Sequence, residues 1–167
     1  LGQVGERPSA RLPGRAQSGV AAFLAAGLHR MVQAAPAGAR FGLHLCLGDM
    51  NHKAYGRMTD AWPAVHLTRA LVRNWPEGRP LEYVHLPFAA AEDPPPEEDE
   101  WYAPLAELEL PEPTRLVAGL VHEAPSVEAQ RRLLDLVEDL VGGEVDVAAS
   151  CGLGRRDRAA AVANLHR

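Results

Sequence analysis

Four short, nearly continuous apolar runs punctuate the chain, and stretches of helical period separate them. The runs at 40–46, 80–87, 114–122 and 145–150 have strand length and little polar alternation, as expected of strands covered on both faces. Ahead of the first run, Ser18 is placed to cap a helix over 18–34. Val20, Phe23, Leu24, Leu28, Met31 and Val32 recur there at helical spacing, and Gln33-Ala-Ala-Pro-Ala-Gly38 stops it. Asp60, with Pro63 in the first turn, opens a helix over 60–75 that Pro76-Glu-Gly78 ends. Ser126 caps a third helix over 126–141, with Leu133, Leu136, Val137 and Leu140 on its buried face and Gly142-Gly143 as its stop. A last helix covers 157–166.

Between the second and third runs, residues 89–100 contain Glu92-Asp-Pro-Pro-Pro-Glu-Glu-Asp-Glu100, whose prolines and like charges mark an exposed, acidic, Pro-rich insertion. Trp101-Tyr102-Ala-Pro-Leu105 then forms a short helical turn that docks on the body or borders a site. Helix and strand alternate throughout, which is the signature of parallel βα units and places the chain in the α/β class. Four strands are half of what a (β/α)₈ TIM barrel needs, and the arrangement resembles the C-terminal half of one. Residues 1–17, rich in Gly, Pro, Arg and Ser, read as loop or as the remnant of a preceding connection. A half-barrel leaves unpaired edges and uncovered apolar faces, so marginal stability or association is expected, with a second copy or a missing N-terminal half as the partner.

Composition narrows the function classes. The 167 residues, 47% hydrophobic and 23% charged, describe one domain spanning 1–167 with material for a core. A net charge of −5 gives no basic field, which argues against nucleic acid or an anionic membrane surface as the partner. No apolar run approaches the ~20 residues of a membrane span. The first residues lack the charged-then-apolar layout of an export signal and no methionine begins them, which reads as a cytoplasmic chain cut at its N-terminus. Two cysteines admit one disulfide, but without an export signal they are more often reduced, for metal or catalysis.

Chemistry collects at the strand ends. Phe41-Gly-Leu-His-Leu-Cys-Leu-Gly-Asp49 puts His44 and Cys46 two residues apart, hence on one face of a strand. His85 ends the second strand, His122 the third, and Cys151 follows the fourth. Each alone has a plain structural explanation, a hydrogen-bonded histidine or a small core thiol. Together, at one rim of a parallel sheet, they point to a metal, and imidazole with thiolate is a donor set suited to zinc. His29, His52, His66 and His166 sit at no strand end and are expected to be remote.

His44-Leu-Cys46-Leu-Gly-Asp49 resembles the His-x-Cys-x-Gly-Asn strand end of the cobalamin-independent methionine synthase superfamily, and Ser150-Cys151-Gly-Leu-Gly-Arg155 resembles its Asp-Cys-Gly-Leu segment. The separation of the two cysteines, 105 residues, is of the right order. The resemblance spans about 40–165, and its relatives include epoxyalkane:coenzyme M transferase and, more distantly, uroporphyrinogen decarboxylase. It implies zinc held by His44, Cys46 and Cys151, activating a small-molecule thiol for attack on a methyl or alkyl donor. His85 falls where the family has a ligating Glu, so either it is a fourth ligand or the metal keeps an open position; Glu82 points the other way along the strand. His122 ends a strand near the family's Asp and proton-transferring His, which makes it the candidate for proton transfer. Asp49 stands where the motif has Asn; it orients a ligand, binds a substrate amine, or is an exposed loop carboxylate.

The implied activity is that of a zinc-dependent methyltransferase or alkyltransferase of the kind that serves methionine biosynthesis. The alternatives are a truncated or noncatalytic zinc-binding half-barrel, and a metal-free enzyme like uroporphyrinogen decarboxylase, against which the His-x-Cys pair argues.

Overall fold

The computed structural model describes residues 14–167, so most of the expected N-terminal loop lies outside it. The chain runs α1 (Gly14–Ala34), β1 (Phe41–His44), β2 (Asp49–Met50), β3 (Lys53–Ala54), α2 (Trp62–Val72), β4 (Leu81–Pro87), α3 (Asp99–Tyr102), β5 (Arg115–Val121), α4 (Val127–Val141), β6 (Asp146–Ala149) and α5 (Arg158–Leu165), with 3₁₀ turns at Ala103–Glu107 and Leu153–Arg155. β1, β4, β5 and β6 form one sheet in that order, every neighbouring pair parallel. This is the α/β architecture expected from the alternation, with the strands in chain order. None of the described helices is long and apolar enough to cross a membrane.

Local chemistry accounts for most boundaries. The Ser126 side chain accepts from the Ala129 N–H at 3.1 Å, and α4 stops at Gly142 with φ of 75°, a left-handed conformation that glycine adopts without strain. Asp157 caps α5 through the Ala160 N–H at 2.8 Å. Asp60 accepts from the Trp62 N–H, so α2 starts where expected, but it ends at Val72, three residues early. The first helix differs more. It begins at Gly14, and Ser18 lies inside it rather than at its cap.

The buried stripe of α1 is also not the one its large residues suggest. Ala21, Ala25 and Val32 are buried, whereas Val20, Leu24 and Met31 face out and Phe23 is 78% exposed. A ridge of small side chains lets α1 settle closely on α2, and the His29 ring reaches across to the Leu71 carbonyl at 2.7 Å. Arg79, from the loop after α2, donates to the carbonyls of Gln33, Ala35 and Pro36 and so completes the end of α1.

The sheet has one covered face and one open face. Leu43, Val84, Leu86, Leu116, Ala118 and Leu120 are buried with Leu133 and Val137 of α4 and Val65 and Leu71 of α2. On the opposite face the register aligns Gly42 with Tyr83 and Arg115, and His44 with His85, Val117 and Asp146. That face is not covered as the apolar runs suggested: Tyr83 is 41% exposed and His44 is exposed.

The acidic segment is less solvated than its composition implies. Ala89, Ala91 and Pro95 are buried, and Glu92 and Asp93 hold the 48–59 loop through the Ala54 N–H and Arg57. That loop contains an unexpected hairpin, β2–β3, turning at Asn51 and His52 with φ of 51° and 60°. As expected, Trp101 and Tyr102 dock on the body, with the Tyr102 hydroxyl donating to the Pro96 carbonyl at 2.8 Å.

Two glycines on the open face should respond differently to a methyl group. A Cβ at Gly119 would lie 2.6 Å from the Leu86 carbonyl oxygen and 2.8 Å from His85 Nε2, and the backbone there cannot yield. A Cβ at Gly42 would collide only with the Tyr83 ring, which is free to swing into solvent. Gly119→Ala should therefore cost about 1–3 kcal/mol in urea unfolding and Gly42→Ala clearly less. Equal losses would count against the fixed approach of β4 and β5.

Candidate metal centre

β1 pairing carries just past its last residue, since the Leu45 N–H still bonds the His85 carbonyl at 3.1 Å. Cys46 consequently keeps the same side as His44, and both are exposed on the open face. Cys151 enters from the far edge, two residues beyond β6, in the bend that precedes the 3₁₀ turn at Leu153–Arg155. One nitrogen of His44 and the sulfurs of Cys46 and Cys151 all lie within 4.8 Å of one another. The two sulfurs are 3.7 Å apart and the thiols are free, well beyond the ~2.05 Å of a disulfide.

That spacing fits a shared ion. Two thiolates each about 2.3 Å from a tetrahedral zinc stand about 3.8 Å apart. Beside the sulfurs is a cavity of about 10 Å³, the room of a single small occupant, lined by Cys46, Gly48, Asp49, Ser150 and Cys151 among others. Two soft thiolates and an imidazole are a donor set that suits zinc. The structure thus gathers His44, Cys46 and Cys151, three of the four residues expected to ligate.

The fourth, His85, contributes no atom to that cluster. Its Nδ1 meets His44 Nδ1 at 2.9 Å, with ring centroids 4.7 Å apart. Its Nε2 is buried without a completed hydrogen bond. Burial, and then the neighbouring His44, push the His85 pKa down to about 4, so the ring is neutral near pH 7. Burial also lowers the pKa of His44. The Cys46 thiol is raised, by burial first and by the Cys151 thiol; the Gly48 N–H and Arg155 oppose this.

Arg155 is the neighbour that the sequence left without a role. Its guanidinium donates to Cys151 Sγ at 3.4 Å and pairs with Asp49, whose side chain is 9% exposed. Asp49 is thereby engaged rather than an exposed loop carboxylate: it steadies an arginine that touches the Cys151 sulfur. The Gly48 turn that aims it has φ of 77°. Only the four-residue step from Cys151 to Arg155, closed by the 3₁₀ turn, hinted at this contact.

His122 lies apart from the sulfur cluster, in a different network. It is buried, its Nε2 faces the Ala91 carbonyl at 3.2 Å, and its Nδ1 accepts from the Ala124 N–H at 3.1 Å. Both ring nitrogens are engaged, so the side chain anchors the acidic segment to the end of β5. Glu123 is the hub beside it, accepting from Arg156 Nε and Asn164 Nδ2 at 3.0 Å each, with His52 Nε2 at 3.6 Å. The other histidines expected to be remote contribute nothing to the cluster: His29 bonds Leu71 and His66 stacks on Trp62.

The chain matches no protein-family model, no curated protein and no solved structure.

Desolvation works against the Glu123 carboxylate, but its own backbone N–H, Asn164, Arg156 and His122 prevail and hold its pKa at about 2. A carboxylate depressed in the folded state adds stability that is complete above about pH 4.5 and disappears as pH falls towards 2. Glu123→Gln should flatten that acid limb when unfolding is followed from pH 6 to pH 2. An unchanged slope would show that the network does not discriminate between charged and neutral Glu123.

Proposed function

We propose that the chain is a zinc-binding half-barrel that activates a small-molecule thiol for methyl or alkyl transfer, in the manner of the cobalamin-independent methionine synthases. The observation that carries the reading is the meeting of His44, Cys46 and Cys151 from opposite edges of one parallel sheet. Flat strands about 4.8 Å apart would hold the outer pair of four about 14 Å apart. Sulfurs 3.7 Å apart are carried by the segments just past β1 and β6, and a sheet that curls in the sense of a barrel wall would bring those segments together, which is what favours the half-barrel.

When bound, zinc lowers the pKa of a coordinated thiol and keeps it a thiolate near neutral pH. The chain's own residues prepare that chemistry. His44, Cys46 and Cys151 supply three donors, leaving a position for an incoming sulfur. Arg155 offsets the charge at Cys151 and Asp49 holds Arg155 in place. The proposal assigns no proton transfer to His122, because both of its ring nitrogens are occupied. The open face beyond His44 and Tyr83 leaves room for the thiol and its alkyl donor, and equally for a second half-barrel.

That open face also favours a second reading, a zinc-binding half-barrel without turnover that acts through association. Metal content and thiol alkylation separate the two. The wild-type chain, refolded anaerobically with zinc, should hold close to one zinc per chain, and Cys46→Ser or Cys151→Ser should lose metal and thiol alkylation together, since the harder hydroxyl is a poor ligand. Zinc affinity should tighten as pH rises, because the Cys46 proton must leave. Zinc retained in both serine variants would sink the site; zinc bound without alkylation of any thiol would leave the second reading.

A further inference from the structure

We propose that His85 is not a ligand but a positioning residue: it accepts a hydrogen bond from His44 Nδ1–H, fixes the His44 tautomer, and turns His44 Nε2 towards the two sulfurs. The inference rests on the metal site described above and specifies how one of its ligands is held.

Several observations converge on this. His44 and His85 are register partners on adjacent parallel strands, so their rings emerge side by side from the open face. The 2.9 Å contact joins Nδ1 to Nδ1, which uses one nitrogen of each ring. The nitrogen of His44 left for a metal is Nε2, and a neutral imidazole that offers the Nε2 lone pair carries its proton on Nδ1. His44 is therefore the donor and His85 the acceptor. The His85 proton then sits on Nε2, the nitrogen that the contact with His44 leaves over. Metal-bound histidines generally donate their second N–H to an acceptor that holds the ring; here the acceptor is another imidazole.

The packing around His85 shows a ring built into place. Its Nε2 is enclosed, and the neighbouring strand offers glycine at 119, where a Cβ would come within 2.8 Å of that nitrogen. A ligand needs freedom to reach the ion. His85 lies outside the set of atoms within 4.8 Å of one another, and swinging its Nδ1 onto a metal would break the contact that orients His44. With His85 committed, protein donors number three, and the fourth position is left to an exogenous sulfur.

The test uses the whole chain with His85→Ala and His85→Asn, the second retaining a carbonyl acceptor near the Nδ1 position. In metal-free protein, long-range ¹H–¹⁵N imidazole spectra should show His44 as the Nδ1–H tautomer in wild type and His85→Asn, and as a mixture in His85→Ala. With cobalt(II) as the probe, X-ray absorption should count one imidazole and two sulfurs in all three proteins. Affinity should fall ~10–100-fold in His85→Ala and recover in His85→Asn. Two imidazoles in wild type dropping to one in His85→Ala would make His85 a ligand and overturn the inference. His44 found as the Nε2–H tautomer would overturn it without reference to any metal. Failure of wild type to bind cobalt or zinc, with the tautomer as stated, would sink the proposed zinc function and leave the imidazole pair standing.

Discussion

Cys46 and Cys151 hang from the two outermost strands of a four-stranded parallel sheet, and their sulfurs are in contact. Everything else about the site answers to that constraint. Parallel pairing sends all four strand ends to one rim, where the segments that follow β1 and β6 bring the two sulfurs together. The hydrophobic layer of Val84, Leu86, Leu116 and Ala118 against α2 and α4 covers one face. The other face carries His44 and His85 beside Tyr83 and Arg115, with the thiols at its rim. Packing on one face and a histidine–cysteine cluster on the other are two results of one register.

The polar surroundings follow from the same geometry. Asp49, at the turn after β1, and Arg155, after β6, bridge the rim just outside the sulfurs. A second bridge runs deeper, through His122, Glu123, Arg156 and Asn164, and locks α5 and the acidic segment to the end of β5. The two networks divide the labour: one adjoins the thiols, with Arg155 partly exposed and Asp49 covered, and the other closes the scaffold beside them.

Much of this was legible in the chain. Apolar runs located the four strands, and Ser126, Gly142 and Asp157 marked helix ends because capping chemistry is local. Histidines and cysteines at strand ends located the cluster, since in a parallel sheet strand ends are neighbours in space. The illegible parts depend on partners far along the chain. Nothing in the periodicity of α1 says that its alanines, rather than Phe23 and Met31, meet α2. Nothing in the spacing of His85 says that it meets His44 through Nδ1 rather than through a metal. The proline-rich acidic segment reads as solvent-facing until Ala91 is seen supplying its carbonyl to His122 and Arg156.

The last turn of α1 carries one more consequence. Its terminal carbonyls are satisfied by the Arg79 guanidinium, which reaches Gln33, Ala35 and Pro36 from beyond α2. A helix of 21 residues is finished at its C-terminal end by a residue more than forty positions downstream. Satisfying the end of α1 therefore requires β1, α2 and the loop to β4, but none of β5, α4, β6 or α5. The end of α1 is thus tied to the loop that leads into β4, so that α1, α2 and the start of β4 are held together by one guanidinium.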